Sequence, residues 1–129
     1  MSRLLLAIVL SVISTSVMAE WTYISSNNDV DYYVDKTEIR KEGNMVKMWE
    51  LVDYKLPQKD SAVAPYLSAR TYSEYDCNEA RARIKELSSF RGNMLKGELL
   101  QTVQGEGNWS YIPPDTVFKD LWEIACGKK

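Results

Sequence analysis

The chain has 129 residues, with 16 basic and 18 acidic side chains and no histidine. That length serves one domain around one core, and the slight acidity gives no general pull toward nucleic acid, which wants a basic face. Without histidine the usual general base and the commonest metal ligand are both missing.

The N-terminus carries one cation, Arg3, then an apolar run over residues 4–12 and small side chains up to Ala19. This is the pattern of a secretory signal. It places cleavage between Ala19 and Glu20, so residues 1–19 are expected to be a signal peptide and residues 20–129 the working domain. Ser11, Ser14, Thr15 and Ser16 interrupt the run well short of the roughly 20 apolar residues that span a bilayer. No retained membrane anchor is expected, and no cysteine follows the cut to carry a lipid. The mature protein is expected in the periplasm or beyond the cell.

Residues 20–24 alternate as a short strand, and the turn formers Ser25 to Asp29 separate it from a β-branched and aromatic strand at 30–34. Residues 35–39 read as one helical turn, and Gly43 and Asn44 re-aim the chain. Residues 44–56 form the longest strand signal, with Val46, Met48, Val52, Tyr54 and Leu56 on one side. Glu50 breaks that apolar row, while Trp49 and Leu51 break the polar one, so neither face is uniformly dry. Residues 57–65 read as a polar loop and 66–77 as another strand.

Residues 78–90 are ambiguous. Ala80, Ile84 and Leu87 sit at helical spacing, whereas Arg81, Arg83 and Lys85 alternate as a strand would, and propensity leans slightly to helix. Residues 98–103 read as a strand. Pro113 and Pro114 open a helix whose apolar positions are Val117, Phe118, Leu121, Trp122, Ile124 and Ala125, and Gly127 suits its C-terminal cap. The result is a strand-rich α+β domain with its helix last.

Cys77 and Cys126 are the chain's two cysteines, and an even count in an exported domain reads as one disulfide. Two free thiols are the alternative. Cys126 lies on the apolar side of the helix, so the bond would clamp that helix to the end of the 66–77 strand.

The residues Trp21, Tyr33-Val34-Asp35, Glu38-Ile39, 49–58 (WELVDYKLPQ), Ser68, Tyr75-Asp76-Cys77, Gly97-Glu98 and 109–113 (WSYIP) together resemble the surface-adhesin protein E family of Gram-negative bacteria. The resemblance covers nearly all of the mature domain. It implies a twisted antiparallel sheet of about six strands with the C-terminal helix disulfide-tied across it, and it makes residues 81–90 a strand. It also implies a homodimeric adhesin that contacts host matrix or serum proteins. Haem binding through histidine does not carry over, and Met45, Met48 and Met94 read as sheet packing.

No catalytic constellation emerges. Ser88 and Ser89 lack a partner base, Gly105 and Gly107 lack the strand and helix of a phosphate loop, and Asp29, Asp31 and Asp35 read as turn caps and solvated edges. The expectation is a noncatalytic binding module with no cofactor and no metal. Its candidate site is a basic ridge of Arg81, Arg83 and Lys85, continued by Arg91 and Lys96, facing an acidic protein or a sulfated glycan. The alternative is a soluble periplasmic accessory or inhibitor protein with the same fold and no adhesin activity.

Overall fold

The computed structural model describes residues 19–60 and 63–128. The expected signal peptide, apart from Ala19, lies outside the described residues.

Eight strands and one helix follow in order: β1 (Trp21–Asn27), β2 (Val30–Asp35), β3 (Arg40–Glu42), β4 (Met45–Asp60), β5 (Val63–Asp76), β6 (Arg81–Phe90), β7 (Leu99–Gln104), β8 (Ser110–Tyr111) and α1 (Val117–Ala125). Six of the strands form one antiparallel path, β1-β2-β4-β5-β6-β7. The other two are short: β3 extends the sheet beside β4, and β8 does so beside β6. The fold class is α+β, as the residues indicated.

Cross-strand partners share a face. Val46 pairs with Tyr75, Met48 with Ser73, Glu50 with Thr71 and Val52 with Ala69, and this row faces α1. The core lies between that face and the helix, where Val34, Val46, Met48 and Tyr75 meet Leu121, Trp122 and Ala125.

The helix begins at Val117, and Pro113 and Pro114, expected to open it, precede it in the connecting turn. Thr116 is extended and its side chain accepts from the Lys119 N–H, capping the first turn. Helices this short are marginal on their own, so tertiary ties hold this one. The Trp122 indole N–H donates to the Asp76 carbonyl at 2.8 Å. The Cys77–Cys126 disulfide joins the residue after β5 to the C-terminal end of α1.

Two segments depart from their sequence reading. The described residues of the polar stretch, 57–60 and 63–65, continue β4 and β5, with Gln58 opposite Tyr66 and Asp60 opposite Val63. Polar residues pair as strands where both faces are wet, and the register shift between Asp53 and Gln58 accommodates Pro57, which has no N–H to give the ladder. In β6 the helical spacing of Ile84 and Leu87 is the mark of a bulge at Lys85. Tyr72 pairs with Glu86 and Ser73 with Ile84, so one extra residue brings Ile84 and Leu87 to the same side. Gly105 and Gly107 donate to the Lys85 and Ile84 carbonyls and close the bulge.

Candidate functional site

The predicted ridge lies on the face of the sheet away from α1. Arg81 pairs with Asp76 and Arg83 with Glu74 across the β5–β6 register. The pairs are close: 3.0 Å for Arg81–Asp76 and 2.7 Å for Arg83–Glu74. Glu106 takes the outer side, 3.3 Å from Arg83 and 2.6 Å from Lys85. Both guanidinium groups stack on the Trp109 ring, at 4.4 and 4.3 Å. Arg91 stands apart on an exposed pair with Glu98.

The carboxylates respond to these cations. Burial pushes Asp76 up, but the Arg81 hydrogen bond, the Asn78 and Glu79 backbone N–H groups and the Arg81 charge outweigh it and hold Asp76 below its ordinary value. The Lys85 hydrogen bond, with the Arg83 and Lys85 charges, holds Glu106 low as well. The row is a set of matched pairs rather than a bare positive ridge.

Next to it on the same face lies a group that the sequence reading did not single out. Trp49 and Tyr72 are cross-strand partners whose rings stack at 4.6 Å. The Arg70 guanidinium lies 4.9 Å from the Trp49 ring centre. Arg70 pairs with Leu51, which is fully buried, and Leu51 pairs with Tyr33. Tyr33 in turn meets Tyr23 edge to face. Among the described residues, Arg70 Nε is the buried side-chain nitrogen or oxygen with no hydrogen-bond partner.

The platform is framed at both ends. At one end Trp109 covers Arg81 and Arg83. At the other a 3-10 turn, Asn93–Leu95, is pinned to the sheet: Asp53 accepts from the Met94 N–H at 2.8 Å, and Ser68 Oγ accepts from the Leu95 N–H at 2.9 Å. Met94 thus belongs to a turn rather than to sheet packing, whereas Met48 is in the core. The signal that could have found the platform was in view: Trp49 and Leu51 interrupt a row of Lys47, Asp53 and Lys55, which a purely solvated face would not require.

The α1 side is not closed either. Beyond the first turn of the helix, a groove of about 620 Å³ runs over β4, β5 and β6, with Glu50 in its lining. A larger hollow of about 880 Å³ between β1 and the helix start is lined mainly by polar side chains such as Ser26, Asn27 and Asp115. It holds no buried titratable group, so the Glu50 groove is the more informative of the two. Among the described residues no cluster of three or more acidic, cysteine or histidine side chains could hold a metal ion, and no helix is long and apolar enough to cross a membrane.

An antiparallel sheet, one helix strapped to it by a disulfide and an aromatic platform on the open face define a small disulfide-tied α+β domain. The chain belongs to the surface-adhesin protein E family, whose sequence profile matches residues 21–127. Its fold is similar to that of protein E from Haemophilus influenzae. The match to crystal form II has a TM-score of 0.65 at 16% identity, covering 88% of this chain and 92% of that one. A second structure of the same protein matches at 0.63 and 17%, covering 88% and 89%. Protein E from non-typeable H. influenzae matches at 0.55 and 17%, covering 87% and 80%. At such identities the likeness is one of fold. Among curated proteins none matches the sequence.

Proposed function

We propose that this chain is an exported, noncatalytic binding module that holds a protein partner on the sheet face away from α1. One observation carries the reading: a guanidinium over a tryptophan ring, buried at Nε without an acceptor, with the Tyr72 ring stacked on the same tryptophan. Tryptophan, tyrosine and arginine are the residues that dominate protein interfaces. An unmet buried donor costs about 1–3 kcal/mol, which a partner's carboxylate would relieve by drawing the guanidinium toward the open face. The partner in view is a host matrix or serum protein presenting an acidic side chain. The row of Arg81, Arg83 and Lys85 borders the platform, and a second acid could replace the exposed Glu106 there.

Export follows from the leader at residues 1–19, with cleavage between Ala19 and Glu20. The second reading, a periplasmic accessory or inhibitor protein, is favoured by the disulfide, which occupies both cysteines and leaves neither to carry a lipid.

Immobilised mature domain should capture a matrix or serum protein, and Trp49→Ala or Arg70→Met should cut its affinity at least roughly tenfold. Replacing Arg81, Arg83 and Lys85 with Ser should weaken the same complex in low salt. Equal capture by all variants would rule the platform out. Size-exclusion chromatography of the same samples separates partner binding from the homodimer that the family resemblance implies. Protection of the protein from protease added to intact cells, with release by osmotic shock, would decide for the periplasmic role.

A further inference from the structure

The groove on the α1 face is chemically unlike the platform and independent of it. Its walls are apolar and aromatic, with Tyr54, Leu87, Tyr111, Phe118 and Leu121 among them. Three large apolar side chains that a packed core would hide line it instead: Ile84, Tyr111 and Phe118 are 44%, 74% and 49% exposed. Phe118 meets Tyr32 edge to face at 6.1 Å, which props one wall open. The volume falls within the usual range for small-molecule sites, which pair apolar walls with a few fixed polar groups.

Here the fixed polar group is Glu50, 6% exposed. The Tyr75 hydroxyl donates to its Oε1 at 2.6 Å, and Ser73 makes a second hydrogen bond to it. Both partners are neutral. Arg83 is the one basic side chain of the lining, and it is committed to Glu74 and Glu106. A buried carboxylate is normally paired with a cation, and within this groove none is available to it.

We infer that the groove binds a small amphipathic amine, its apolar body against the aromatic walls and its protonated nitrogen directed to Glu50. The chemistry selects the occupant. An ammonium supplies the missing cation and is favoured by the faces of the surrounding tyrosine rings. A carboxylate of the same shape would be repelled, and an alcohol would gain one hydrogen bond without the charge.

The test uses three probes of one shape on the mature, disulfide-bonded domain: 4-phenylbutylamine, 4-phenylbutanol and 4-phenylbutyrate. Calorimetry should show the amine binding roughly tenfold or more tighter than the alcohol, with the acid weaker still. In Glu50→Gln, which keeps an acceptor for Tyr75, amine and alcohol should bind alike. Amide chemical-shift changes in the wild-type protein should concentrate at Ala69, Leu87 and Leu121, a readout that stands even if the variant does not fold. Equal binding of amine and alcohol to wild type, an amine preference retained in Glu50→Gln, shifts confined to the Trp49 and Arg70 face, or no binding at millimolar amine would each overturn the inference. Loss of the protein partner in the platform variants bears on none of these outcomes.

Discussion

Reduction of the Cys77–Cys126 bond tests the architecture most directly. The bond closes a loop with a sequence separation of 49, and the chain-entropy relation for about 50 residues gives roughly 4 kcal/mol at 25 °C. Small domains have net stabilities of about 5–15 kcal/mol, so this is a large share. The loss should be uneven. The nine-residue α1 has too few turns to persist alone, and its remaining ties are one face of apolar side chains and the Trp122 indole bond. Urea unfolding followed by tryptophan fluorescence and far-ultraviolet circular dichroism, with and without reductant, measures both effects. The reduced protein should unfold at lower urea, and in a variant that keeps Trp122 as its single tryptophan the fluorescence should change before the sheet signal. A stability loss under about 1 kcal/mol, or coincident transitions at unchanged midpoint, would refute the view that the bond holds the helix in place.

Two further perturbations probe the face of the sheet that meets the helix. Trp122→Phe removes the indole hydrogen bond to Asp76 and leaves unfilled space, at a cost of about 2–4 kcal/mol by the same urea titration; an unchanged midpoint would discount that contact. Burial raises the pKa of Glu50 above its ordinary 4.5, against the lowering effect of the Ser73 and Tyr75 hydrogen bonds. Its stabilising contribution is therefore full below the unfolded value and is lost as pH rises through the folded one. Glu50→Gln should match wild type in acid and become the more stable protein as pH climbs toward neutrality, whereas a difference constant from pH 3 to 8 would contradict this sign.

Periodicity made most of the fold legible. The alternation of Val46, Met48 and Val52 marked the face that meets the helix, and the spacing from Val117 to Ala125 marked the helix that meets it. What periodicity measures is burial, and it fails where burial and pairing part company. The residues around Pro57 are paired but wet, so their polarity suggested a loop. In β6 one extra residue at Lys85 converts a strand's period into a helix's, and only the resemblance to a known family corrected the ambiguity. The basic row was visible as a run of like charges; its partners were not, because Glu74 and Asp76 reach it through strand register and Glu106 through a loop. No local pattern announces a salt bridge between positions 83 and 106.

The interruptions in the β4 pattern carry more information than the pattern itself. A half-buried strand needs only apolar residues inward and polar residues outward, yet this one places a carboxylate inward at Glu50 and a tryptophan outward at Trp49. Each exception has found a cross-strand setting that makes it tolerable: hydroxyls from Ser73 and Tyr75 for the first, the ring of Tyr72 for the second. Neither setting is complete. The acid has hydrogen bonds but no cation, and the guanidinium resting on Trp49 has a ring but no acceptor at Nε. The two shortfalls sit on neighbouring strands, Glu50 on β4 and Arg70 on β5, and on opposite faces of the sheet. A sheet selected for stability alone would replace Glu50 with an apolar residue and Arg70 with a shorter polar one. Retaining both costs stability on each face, and the two proposals, a carboxylate partner on the open side and an amine on the helix side, rest on that cost.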